Sequence, residues 1–389
     1  MSFLLSSKNI FEYLVDQQIC TQEDCNLGQV ESKISKNFNL LVILKGDRRL
    51  LVKQESCPEE GKTSDAFSNE WRMQKFIQSV AEVNCLRALT VELAHFDSEH
   101  GILISNYLSR YSDLEDFYAQ ENLFPDKVAS LLGNALATVH SSTIDNHSCR
   151  NFWNENRPSV EPAERFDPDK AMRISPEIFG SISAEGMEFF VLLQRYDNLK
   201  SAFVEVINGF TPCCLAHNDL KLANILLSRS WEKGPDSHAI RFIDWEFCGW
   251  GDPAYDLGSI IAGYLEIWLD SLVASNSMDI TEALRLAVTP LEYVQPSIKK
   301  VLSVYLERFP EILEHYPEFL KQVMKFSGLV LIEGIQTSVY NRVPFDNTDI
   351  CKLQVAKSLL LNPKQSIKTI CGVSESDLIG TRVPLTPMV

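Results

Sequence analysis

The chain has 389 residues, 45% hydrophobic and 23% charged, the composition of a soluble globular protein large enough for two or three structural units. Its formal net charge of −16 has the wrong sign for a nucleic-acid binder, and no apolar stretch is long enough to span a bilayer. Met1 to Phe11 lacks a charged segment followed by an apolar run, so no signal peptide is expected, and the ten scattered cysteines, without a Cys-x-x-Cys pair, read as reduced thiols of a cytoplasmic protein.

In chain order, the first elements are strands. Glu31–Ser35, Asn39–Lys45 and Arg49–Glu55 carry alternating or β-branched runs, and Gly46-Asp47 suits a hairpin turn between the last two. Ser64–Ala81 predicts a helix, with Phe67, Trp71, Phe76 and Val80 at roughly helical spacing. Ala88–Phe96 and Gly101–Leu108 predict a second strand pair, turned by Asp97-Ser98-Glu99-His100. Pro125–Ser141 is amphipathic: Val128, Leu131, Leu132, Ala135, Leu136 and Val139 make one apolar stripe. Asn151–Pro168 is polar and proline-bearing and is expected to loop, whereas Glu185–Asn208 is expected to be helical. Around residues 211–247 the pattern returns to short strands. After Pro253 long helices follow, punctuated by Pro290, Pro296, Pro310 and Pro317. Thr381–Val389 is expected to be a disordered tail. The order predicts an α+β protein: a small β-rich lobe, a linker near Asn106–Ser109, and a larger, mainly helical lobe.

The chemistry is concentrated in one segment. His217-x-Asp219 is followed by Asn224 and an apolar strand; twenty residues later comes Ile243-Asp244-Trp245-Glu246, with Glu232–Asp236 supplying a hairpin turn between. Phosphoryl transfer asks for positioning and charge neutralisation more than covalent help. Asp219, on a loop before a strand, suits a base that orients an attacking hydroxyl and takes its proton. Asn224 suits an uncharged oxygen ligand for magnesium. Asp244, returned beside Asn224 by hairpin pairing, suits the anionic ligand. His217 is expected to orient the loop by hydrogen bonding.

His217-Asn218-Asp219 to Asn224, Ile243-Asp244-Trp245-Glu246 and Gly251-Asp252-Pro253-Ala254-Tyr255-Asp256-Leu257-Gly258 resemble the aminoglycoside phosphotransferase and choline kinase superfamily. Val52-Lys53-Gln54 and the Asp-x-Glu also look like those of methylthioribose kinases; Arg342 stands alone in the C-terminal stretch where an arginine-bearing sugar site would be expected. The resemblance implies a bilobal protein-kinase-like fold, with residues 1–105 as nucleotide-binding lobe and 106–380 as catalytic and substrate-binding lobe. It implies Asp219 as catalytic base, Asn224 and Asp244 as magnesium ligands, Glu246 as support for the metal site, and Asp256 as a brace for the catalytic loop.

Lys53, alone on an apolar strand, is expected to reach the α- and β-phosphates, paired with Glu70 of the next helix. Glu59 and Glu60 are rivals for that pairing. No Gly-x-Gly-x-x-Gly occurs; the turn around Ser35 and Asn37 offers backbone N–H groups and hydroxyls to phosphate instead. Backbone groups near Asn106 to Leu108 are expected at the base edge. The donor is expected to be ATP, with GTP as an alternative, and the cofactor Mg2+. The acceptor is a hydroxyl of a small molecule such as an amino sugar, amino alcohol or sugar. Glu266, Asp270 and Glu333 are candidates for holding an amine. Two alternatives are a Ser/Thr peptide kinase with a groove near residues 145–185, and a nucleotide-binding scaffold without turnover. No nucleic-acid or membrane partner is expected.

Overall fold

The computed structural model describes residues 3–25, 28–33, 38–55, 66–155, 179–180, 182–273 and 279–380. The chain forms two compact units: one takes the residues up to Leu114, a segment from His147, and Asn224–Cys248; the other takes Glu115–Asn146, the residues leading to Ala223, and those from Gly249 onward.

The first unit is built on a five-stranded antiparallel sheet of Gln29–Lys33 (β1), Phe38–Ile43 (β2), Arg49–Gln54 (β3), Leu93–Asp97 (β4) and Ile102–Asn106 (β5), in the order β1-β2-β3-β5-β4. Strand periodicity puts Leu50, Val52 and Gln54 of β3 on one face and Lys53 on the other. The first face packs with Leu40, Val42, Ile102 and Ile104 against Leu5, Ile10, Tyr13 and Leu14 of the N-terminal segment. Fully burying one such side chain contributes roughly 1.5–3 kcal/mol. Gln54 ties that segment down: its Oε1 accepts from Leu5 N at 2.8 Å and its Nε2 donates to Phe3 O at 2.9 Å. Helix Ala66–Ser79 meets the sheet through Phe67, which joins Leu93 and Leu103 in a buried cluster. The Gly46-Asp47 turn forms as expected, both residues adopting the left-handed backbone (φ 78° and 61°) that glycine and aspartate tolerate.

Two expectations for this unit need correction. The strand expected from Ala88 begins at Leu93; Ala81–Ala88 is a tight 3-10 segment, and Thr90 makes only an isolated bridge to Phe242. Asn151–Glu155, expected to loop, ends the helix His147–Glu155. There Phe152 and Trp153 pack at a tilt against Phe76, ring centroids 5.1 and 5.4 Å away, and the Arg72 guanidinium covers the Trp153 ring at 4.5 Å. Aromatic anchoring outweighs the polar composition of the segment. The rest of that segment, residues 156–168, lies outside the described residues.

A second, three-stranded antiparallel sheet completes the unit. Ile225–Ser228 lies between Tyr111–Asp113 and Ile240–Phe242, with Ile225 opposite Phe242.

The second unit is mainly helical. Asp126–Ser141 buries the expected stripe of Val128, Leu131, Leu132, Ala135, Leu136 and Val139. Glu185–Asn208 is two helices, Ala184–Arg195 and Asp197–Asn208, separated by Tyr196 in a non-helical conformation. Tyr196 is held from elsewhere: its hydroxyl accepts from Gln354 Nε2 at 2.8 Å and the Lys357 ammonium sits 3.6 Å above its ring. The long helices Pro253–Asp270, Leu291–Arg308, Phe319–Tyr340 and Asn347–Leu361 follow, as does a short strand pair of Cys214–Ala216 and Gly249–Gly251. Pro296 lies inside Leu291–Arg308 instead of punctuating it. No helix among the described residues is long and apolar enough to cross a membrane. Residues 381–389 lie outside the described part.

Candidate active site

In the first unit, β3 delivers Lys53 and helix Ala66–Ser79 delivers Glu70; their charged atoms lie 3.9 Å apart. The Lys53 ammonium also donates directly to Asp244 Oδ1. Lys53 and Glu70 are mostly buried, with side chains 14% and 10% exposed, so neither charge is stable there without the other. Burial disfavours the ammonium, yet Glu70, Asp244 and Glu246 together hold Lys53 above its ordinary range. Burial, opposed by Lys53, pushes the Glu70 carboxyl up. Glu59 and Glu60, the rival partners, lie outside the described residues.

Asp244 stands just beyond Ile240–Phe242. Ile243 N donates to Asn224 O at 3.0 Å, continuing the pairing that sets Ile225 opposite Phe242 and bringing Asn224 and Asp244 to the same end of the strand pair. Asp244 adopts left-handed backbone (φ 60°), and the tight turn Trp245–Phe247 carries Glu246 behind it. Aspartate tolerates this conformation at some energetic cost, and such strain gathers where geometry serves chemistry. Buried Asn224 and half-buried Asp244 and Glu246 form a set of hard oxygen donors. An amide oxygen with one or two carboxylates matches what Mg2+ takes when substrate phosphates and water supply the remainder.

In the second unit, His217, Asn218 and Asp219 follow the strand Cys214–Ala216. Asp256, on helix Pro253–Asp270, is fully buried and accepts from His217 N at 2.6 Å and Asn218 N at 2.8 Å. His140 Nε2 lies 3.2 Å from the same carboxylate, and His140 Nδ1 lies 2.8 Å from the Tyr305 hydroxyl. With Nε2–H donating to Asp256, Nδ1 accepts from Tyr305, and the buried carboxylate has three donors. Asp256 therefore braces the loop, as the resemblance implied. Asn218 takes left-handed backbone (φ 62°), which asparagine tolerates. Gly251 is required beside it: a Cβ there would stand 2.7 Å from Ala216 Cβ and 2.9 Å from Asn218 Oδ1. Asp219 itself is part-exposed, with the Lys221 ammonium 3.5 Å from its carboxylate.

Asp252 caps helix Pro253–Asp270, accepting from Ala254 N and Thr211 N at 2.8 Å each. Burial pushes its carboxyl up to about 7, although both N–H groups favour the charged form. Further along the helix, a Cβ on Gly263 would come within 2.8 Å of Leu222 Cγ, so the helix packs directly on the segment after Asp219. Glu266 lies one turn beyond Gly263, and burial raises its carboxyl to about 7, with Lys352 opposing and Asp270 and Glu115 adding to the rise. Glu333 Oε2 lies 3.4 Å from the Tyr255 hydroxyl.

Other expected residues are less informative. Ser35 and Asn37 lie outside the described residues. Asn106 ends β5, its N–H donating to Glu92 O at 3.2 Å, and Leu108 O accepts from Tyr111 N at 3.0 Å. Asn69, His140, Tyr305 and Lys221 join these residues only in the structure. Of these only Lys221 has a local signal, two residues after Asp219; the others act through contacts made in the folded chain.

A family model described as the phosphotransferase enzyme family matches residues 33–285. No curated protein matches the chain. Among solved structures, a glucosamine kinase aligns in two crystal forms. Form A has a TM-score of 0.53 and 12% identity, covering 94% of this chain and 85% of that one. Form B has a TM-score of 0.52 and 13% identity, covering 92% and 85%. The choline kinase LicA from Streptococcus pneumoniae aligns with a TM-score of 0.48 and 16% identity, over 91% of this chain and 98% of that one. The small antiparallel sheet and larger helical part are those of the protein-kinase-like α+β class expected from the sequence.

Proposed function

Since the chain belongs to the phosphotransferase enzyme family, we propose that it transfers the γ-phosphate of ATP, with Mg2+, to a hydroxyl of a small amine-bearing molecule in the cytoplasm, with Asp219 as base. The observation that carries this reading is the mostly buried Lys53 ammonium held between Glu70 and Asp244. A cation fixed in this way suits phosphate oxygens, because the cost of orienting it is met by the fold before any ligand arrives.

Each residue then has a task. Lys53, oriented by Glu70, binds the α- and β-phosphates. Ser35 and Asn37 offer polar groups to the phosphates, and the backbone at Asn106 and Leu108 meets the base edge of ATP, or of GTP as an alternative donor. Asn224 and Asp244 would hold Mg2+, with Glu246 in support; the bound ion supplies neutralisation of phosphate charge. Asp219 orients the acceptor hydroxyl and takes its proton as the oxygen attacks, and Lys221 offers positive charge beside it. His217 and Asn218, fixed by Asp256, set the position of that carboxylate. Residues 1–105 would serve nucleotide binding and residues 106–380 catalysis and acceptor binding.

Helix Pro253–Asp270 supports this acceptor class. Its start braces the catalytic loop, its middle packs on Leu222, and its next turn presents Glu266. A carboxylate raised by burial gains from an ammonium partner, which restores its charged form. Asp270 and Glu115 add to the acidic surroundings of Glu266, with Lys352 as the opposing cation. A panel of amino sugars, amino alcohols, their N-acetylated forms, neutral sugars and Ser/Thr peptides with labelled ATP tests this. Label should enter amine-bearing acceptors, and Glu266→Gln should raise KM for them while leaving KM for ATP unchanged. Label in peptides or neutral sugars alone would refute the acceptor class.

A further inference from the structure

We propose that Asn69 is a positioning residue for metal binding, holding the turn that carries Asp244 and Glu246 against the helix that carries Glu70. The proposal rests on the reading of Asp244 as a metal ligand.

Asn69 sits one residue before Glu70 on helix Ala66–Ser79 and is 5% exposed. Its Nδ2 donates to Glu246 O at 3.0 Å and to Cys248 O at 2.8 Å, and lies 3.8 Å from Cys248 Sγ. Two carbonyl acceptors fix the amide orientation: the reverse would set three oxygens against one another. The orientation leaves Asn69 Oδ1 buried without a hydrogen-bond partner among the described residues. An unmet buried acceptor is destabilising, and a leucine would pack there without one. The amide is thus accounted for by what its two N–H groups do.

Those groups close a strained segment. Asp244 is left-handed at φ 60°. Trp245 Nε1 donates to Phe242 O at 3.0 Å, fixing the turn to the strand before it, and Cys248 N donates to Trp245 O at 3.1 Å. Asn69 supplies a hold from outside the segment, on the backbone of Glu246 and Cys248, where Lys53 meets the Asp244 side chain. Left-handed backbone at a non-glycine residue persists only where its surroundings over-determine it. Without Asn69 the turn relaxes, and Asp244 and Glu246 lose their fixed relation to Lys53 and Glu70. Asn69 touches neither phosphate nor metal; it acts through the turn backbone.

The test uses Mn2+ as probe, its binding followed by electron paramagnetic resonance at saturating ADP, with metal-free ADP affinity measured separately. Asn69→Leu removes both donors without adding charge; Asn69→Asp keeps the shape and sets oxygen against the two carbonyls. Asp244→Asn is the reference. In variants with the wild-type circular dichroism, Mn2+ affinity should fall about ten-fold, as when groups that orient metal ligands are removed, while metal-free ADP affinity stays within about two-fold of wild type. Unchanged Mn2+ affinity in the Asn69 variants, with a large loss in Asp244→Asn, overturns the role of Asn69 alone. Unchanged affinity in Asp244→Asn as well overturns the metal reading beneath it. Loss of folding in both Asn69 variants also overturns the proposal, since the side chain would then serve the fold.

Discussion

Lys53 shows how a single side chain can be costly to the fold and useful to the site. Its mostly buried ammonium is tolerable because Glu70 and Asp244 lie against it. Lys53→Met leaves those carboxylates facing each other without a cation. It is expected to lower kcat/KM for ATP by about 10²–10³, the scale for removing one fixed electrostatic contact, and steady-state kinetics over an ATP series measures it. The residues proposed to carry the chemistry stand out in the sequence, because phosphate transfer asks for an order along the chain: a base, an amide, a strand, a turn, a carboxylate. Lys53 was legible as a cation on an apolar strand. Asn69, His140 and Tyr305 were not. Their tasks are hydrogen bonds to other parts of the folded chain, and such bonds leave no spacing to read.

Helix Pro253–Asp270 shows the same division among elements. Its start was legible in Gly251-Asp252-Pro253, since a side-chain acceptor before a first-turn proline is a helix-start signal. That the cap is also buried, and that Asp256 behind it holds the N–H groups of His217 and Asn218, depends on packing. Asp252 carries a pH consequence. Its carboxyl is raised from its ordinary 3.8 to about 7, with Asp256 and the Tyr316 hydroxyl facing it. The folded chain binds this proton more tightly than the unfolded chain. The resulting stabilisation is full below about pH 4 and is lost as pH rises from about 4 to about 7. Asp252→Asn keeps a capping oxygen and removes the titration, so the fall in Tm across that range should be shallower than in wild type. An equal or steeper fall would show that Asp252 is not the source. Glu266, raised to about 7 by burial, adds a slope of the same sign that the substitution leaves in place. The loop expected at Asn151 fails for the opposite reason, because Phe152 and Trp153 find aromatic partners far away in sequence.

For the whole molecule, the succession of strands and helices was legible, since period-two and helical patterns are local. The closure of Asn224–Cys248 onto the first unit was not. It depends on Ile225–Ser228 pairing with Tyr111–Asp113 and on Phe242 bridging Thr90, contacts across more than a hundred residues of chain. Long-range pairing of this kind leaves no local signal, yet it places Asn224 and Asp244 in the same unit as Lys53 and Glu70. The central claim is that this assembly binds Mg·ATP while Asp219 drives transfer to a hydroxyl. Its most direct test is Asp219→Asn, examined for both functions with one preparation and an acceptor that wild type phosphorylates. Mg·ADP at a hundred times its Kd should stabilise wild type and variant alike by about 2.7 kcal/mol. Label transfer from ATP should fall about 10²–10⁴-fold in the variant, the range for a lost general base. Transfer at the wild-type rate in Asp219→Asn, with nucleotide stabilisation intact, would contradict the account.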